Sequence, residues 1–94
     1  MTMKTHIEDK LRTFFSPTFL EVEDTSYLHE GHAGHTGKGE SHFNITIVSH
    51  LFCNMSRLQR HRQVYDCLEN ELKKGIHALQ LKTLCPKEAL PAVE

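Results

Sequence analysis

The stretch that decides the fold is Gly39-Glu40-Ser41-His42-Phe43-Asn44-Ile45-Thr46-Ile47-Val48. Phe43, Ile45 and Ile47 alternate with Asn44, Thr46 and Val48, the period of two that lays one side of a strand on a core. Upstream, Phe19 to Asp24 sets Leu20 and Val22 against Glu21 and Glu23, which reads as another half-buried strand. The two strands are expected to pair as a hairpin. Between them runs the polar segment Thr25 to Ser41, where Gly31, Gly34, Gly37 and Gly39 stand among histidines. A connection of that length exceeds most and reads as a flexible loop, of the kind that is either functional or disordered.

Working outward, Met3, Ile7, Leu11 and Phe14 recur at helical spacing with charges between them. Ser16-Pro17 stops that helix, because proline disfavours the helical conformation in the residue before it. On the other side, Phe52, Cys53 and Asn54 form a turn in which Asn54 can take a left-handed conformation. Ser56 then caps a long helix whose buried stripe is Leu58, His61, Tyr65, Leu68 and Leu72. Lys73 and Lys74 suit its last turn, and Gly75 closes it. Ile76 to Leu84 is a third strand, with His77 on the face of Leu79 and Leu81. Pro86 ends it, and Lys87 to Leu90 adds a helical turn. The order is α-β-β-α-β, with room for small extra helices. It makes an α+β chain read as one domain over 1–94, with a loop at 25–41 and a tail at 87–94.

Composition narrows the function. A chain of 94 residues has no room for a second domain and buries a modest core. A net charge of -1 gives no general electrostatic case for nucleic acid or membrane. No run approaches the ~20 apolar residues of a membrane span. Met1 to Phe15 lacks the apolar centre of a signal peptide, so a cytoplasmic protein is expected. Cys53, Cys67 and Cys85 are odd in number and form no Cys-x-x-Cys pair, so ordinary reduced thiols are the simplest expectation. Histidine is the outlier: four of the eight, His29, His32, His35 and His42, fall close together. Imidazole is the commonest metal ligand.

These pieces in order carry a resemblance. Gly39-Glu40-Ser41-His42-Phe43 leads into a strand, Phe52 follows, and then come Arg60-His61-Arg62-Gln63-Val64-Tyr65 and Ile76-His77-Ala78-Leu79. The chain from about Ile7 to Glu88 resembles the BolA family. The resemblance implies an α-β-β-α-α-β fold with a three-stranded mixed sheet, similar to a class II KH domain without its Gly-x-x-Gly loop. It also implies a monothiol glutaredoxin partner and a [2Fe-2S] cluster shared with that glutaredoxin and glutathione. In the family a histidine near the last strand, matching His77, and a histidine or cysteine of the hairpin loop hold the cluster. This loop has no cysteine. Counting forward from Asp24-Thr25-Ser26-Tyr27 the loop ligand falls on His29, with His32 and His35 equally within reach. Alone, the protein is expected to be a colourless monomer.

Other residues admit plainer readings. His61 reads as a structural histidine with a buried hydrogen bond, and His42 as a partner in the hairpin beside the ligands. A His-rich loop also binds metals without specificity, and His77 alone would more often be packed in a core. Arg57, Arg60 and Arg62 open the long helix behind a short turn, which suggests DNA binding, as a transcriptional regulator, as the alternative function. The same arginines suit carboxylates of glutathione or a partner surface. No nucleophile motif, phosphate loop or paired acid and base is present, so the chain reads as a non-enzyme.

Overall fold

The computed structural model describes residues 2–25 and 42–89. The long hairpin segment beyond Thr25 and the tail beyond Ala89 lie outside them. The first helix, α1, spans Met3–Phe15 and begins where the Thr2 hydroxyl accepts from the Thr5 N–H at 3.2 Å. It ends at Ser16, whose φ of 44° is left-handed and whose N–H donates to the Arg12 carbonyl. Ile7, Leu11 and Phe15 form its buried face. The expected Phe14 is instead 60% exposed. Stepping by four from Ile7 reaches Phe15, which packs on Phe52 with ring centroids 5.1 Å apart.

Two strands follow, β1 (Phe19–Asp24) and β2 (His42–Val48), and they pair antiparallel from Phe19 opposite Val48 to Asp24 opposite Phe43. The hairpin is as the alternation predicts. Ser49 closes this end: its buried hydroxyl donates to the Phe15 carbonyl at 2.6 Å and accepts from the Leu51 N–H at 3.1 Å. A short 3-10 turn, His50–Phe52, then leads to Asn54, whose φ is 71° as expected.

The helix α2 spans Arg57–Cys67 behind a capping box, in which Ser56 and Gln59 satisfy each other's backbone N–H. The expected single long helix is broken at Leu68, and α3 (Glu69–Lys74) continues it. The buried stripe also differs, because Leu58 is 61% and Tyr65 40% exposed. Val64 and Leu68 face the core, and Glu71 is buried against Lys10 of α1 in an ion pair of 3.0 Å. Tertiary packing rotates α2 away from the phase that its apolar residues suggest, and the break at Leu68 resets that phase.

The last strand, β3 (Ala78–Leu84), runs parallel to β2 from His42 opposite Ala78 to Val48 opposite Leu84. It starts two residues later than expected and leaves Ile76 buried and His77 exposed. A four-residue helix, α4 (Pro86–Ala89), follows. The sheet order is β1-β2-β3, so β2 is central. Phe43, Ile45 and Ile47 share one cluster with Ile7, Leu11, Val64 and Leu68, which places the helices on one face of the sheet.

Candidate metal centre

Parallel pairing brings the start of β2 and the start of β3 to the same end of the sheet. His42 therefore lies beside His77, their ring centroids 6.0 Å apart and their planes at 69°. His77 is exposed and His42 half-buried. Two imidazoles on one tetrahedral ion would have centroids about 5 Å apart, so the two rings are neighbours at a separation somewhat longer than a shared ion would set. The Thr25 N–H donates to the His42 carbonyl at 2.8 Å. Thr25 and His42 thus lie at the end of the sheet where His77 sits.

His77 is accessible, which removes the packed-core reading that its parity with Leu79 and Leu81 offered. His29, His32 and His35 lie outside the described residues. Among the described residues no three histidine, cysteine, aspartate or glutamate side chains converge on a metal position. The donor set present is two imidazoles, which suits part of an iron site and needs further ligands from the hairpin segment or another molecule. His6 and His50 are exposed on other elements. His61, expected as a structural histidine with a buried hydrogen bond, is half-buried on α2.

The arginines divide. Arg57 and Arg62 are exposed at the start of α2. Arg60 is committed to the fold, with only 11% of its side chain exposed. Its Nη1 and Nη2 donate to the Glu88 carboxylate at 2.7 and 3.0 Å, a bidentate pair. Nη1 also donates to the Thr83 carbonyl at 2.9 Å and Nε to the Met55 carbonyl at 3.1 Å. The Arg60 guanidinium, together with the Cys85 N–H, holds the Glu88 carboxyl down to about 2. Glu88 was not singled out from sequence, and nothing in its local context marks it.

Cysteine chemistry departs from expectation. Cys53 and Cys85 form a disulfide, with Cα atoms 4.9 Å apart. The turn before α2 and the end of β3 meet there, a contact between residues far apart in the chain that spacing rules do not detect. Cys67 is the free thiol; burial pushes it up, and it contacts the Lys10 carbonyl. A thiol so placed is a poor nucleophile.

A three-stranded mixed sheet backed by four described α-helices is the architecture of BolA domains. The solved BolA domain of SufE1 from Arabidopsis thaliana matches it with a TM-score of 0.85 and 44% identity, over 95% of this chain and 98% of that one. A family model described as BolA-like protein matches residues 11–88, and the chain belongs to this family. It is 46% identical to the DNA-binding transcriptional regulator BolA of Escherichia coli K12, over 94% of this chain and 80% of that protein. It is 48% identical to the chloroplastic and mitochondrial SufE-like protein 1 of Arabidopsis thaliana, over 87% of this chain. The match spans only 23% of that longer relative. No helix among the described residues is long and apolar enough to cross a membrane.

Proposed function

We propose that this chain is a non-catalytic cytoplasmic adaptor that shares a [2Fe-2S] cluster with a monothiol glutaredoxin and glutathione, for cluster transfer or iron and redox regulation. The observation that carries the reading is the exposed His77 at the mouth of the sheet. The His42 ring centroid stands 6.0 Å from that of His77, and Thr25 is hydrogen-bonded to His42 at the same place. His77 is the first ligand, and one of His29, His32 and His35 is the second. His42 orients His77 or substitutes for the loop ligand. Imidazole in place of thiolate raises the potential of such a cluster and gives a mixed ligand set that is easier to exchange. Family membership and fold support the reading; the partner and the cluster are its content.

The test mixes the protein with cluster-loaded monothiol glutaredoxin and glutathione and records visible circular dichroism for wild type, His77→Ala and His42→Ala. A new spectrum that His77→Ala abolishes is the expected result. A wild-type spectrum identical to that of the glutaredoxin alone rejects the adaptor reading.

DNA binding is the second reading. A transcriptional regulator is among the close relatives, and Arg57 and Arg62 are exposed behind the turn that opens α2. With Arg60 clamped, two arginines remain for phosphates on this helix start. A gel shift that weakens steeply with salt and is lost in Arg57→Ala/Arg62→Ala would favour it.

A further inference from the structure

We infer that the Cys53–Cys85 disulfide is a redox-exchangeable lock that holds α4 on the body of the fold. The inference stands apart from the proposed metal site, since Cys85 follows the far end of the strand that His77 precedes. At ~3.3 Å per residue the two lie roughly 25 Å apart along β3.

The lock follows from what holds α4. A helix of four residues cannot sustain itself. Among its attachments are the disulfide at Cys85 and the ion pair of Glu88 with Arg60. These form one closed circuit. Cys53 bonds Cys85, the Cys85 N–H donates to Glu88 at 2.9 Å, Glu88 takes Arg60, and Arg60 donates to the Met55 carbonyl two residues beyond Cys53. Breaking the sulfur bond opens the circuit at the point where α4 joins the sheet.

The bond is also reachable from one side. Cys53 is half-exposed in its turn, whereas Cys85 is 5% exposed. A small external thiolate attacks Sγ of Cys53, the Sγ–Sγ bond breaks, and Cys85 leaves as a thiolate that takes up a proton. A second external thiol attacks the mixed disulfide and releases Cys53, so the small thiol becomes a disulfide as the protein gains two electrons and two protons. The reverse exchange with a small disulfide restores the lock. Cys67, half-buried with its thiol pushed up, stays out of the exchange.

The test equilibrates the full chain in mixtures of reduced and oxidised dithiothreitol, with Cys67→Ser as background. Thiols are trapped by alkylation and mapped by mass, and amide exchange is followed in each state. One reversible transition involving Cys53 and Cys85 is expected. Protection at the Glu88 amide should fall about tenfold on reduction, while Ile45 and Val64 stay protected by at least about a hundredfold. Cys53→Ser/Cys85→Ser should reproduce the reduced state without reductant. Three results overturn the inference: no disulfide under oxidising buffer, unchanged Glu88 protection on reduction, or unfolding of the whole chain on reduction, which makes the bond a plain staple.

Discussion

Substituting Val64 and Leu58 to alanine, one at a time, tests the rotational setting of α2. Val64 is fully buried, whereas Leu58 is 61% exposed on the same helix. Removing two methyl groups from Val64 forfeits about 1.6 kcal/mol of transfer energy at ~0.8 kcal/mol per group. A residual cavity of roughly 40 Å³ adds about 1 kcal/mol. The better helix propensity of alanine returns about 0.5 kcal/mol, leaving a net loss near 2 kcal/mol. Leu58→Ala, at a solvated position, should stay within about 0.5 kcal/mol of wild type. Urea unfolding followed by far-UV circular dichroism measures both. With a slope of ~1 kcal/mol/M, Val64→Ala lowers the midpoint by about 2 M and Leu58→Ala barely moves it. Equal losses, or a larger one for Leu58→Ala, would refute the packing of α2 described above.

Three further outcomes follow from other contacts. Ser49→Ala strands the hydrogen bonds to the Phe15 carbonyl and Leu51 N–H and should cost about 1–3 kcal/mol in the same unfolding assay. The Glu88 carboxyl is held from 4.5 down to about 2, so its contribution is present above pH 4.5 and lost as pH falls towards 2. An acid titration of stability should therefore show wild type and Glu88→Gln apart above pH 4.5 and converging below it. Cys53→Ser/Cys85→Ser removes a crosslink between residues separated by 32 positions. By loop entropy that should lower thermal or urea stability by about 3.7 kcal/mol, against no change for reductant added to the double variant.

What could be read in advance was local. β1, the hairpin, Asn54 and the Ser56 cap each depend on a few neighbouring residues, and each stands as expected. Helix phase was less legible. Phe14 and Phe15 are adjacent and apolar, so the pattern alone leaves a rotation of one residue open until Phe52 arrives to choose Phe15. Leu58 and Tyr65 fit a stripe that ceases to apply once the helix breaks at Leu68. The meeting of His42 with His77, of Cys53 with Cys85 and of Arg60 with Glu88 all depend on β3 lying parallel to β2. Only the first had a usable signal: two histidines, each at the start of a strand, come together if those strands run parallel. The ligand role of His77 rested on the family resemblance, and its exposure is the structural contribution.

The Arg60 clamp has a second effect on how the molecule behaves in a crowd. β3 is an edge strand, and unpaired edges invite strand addition from other chains. Arg60 occupies the Thr83 carbonyl and draws Glu88 and α4 against the same stretch. A half-buried guanidinium thereby acts as a gatekeeper against self-association. Losing it would release α4 along with the strand edge and should show as aggregation that grows with concentration.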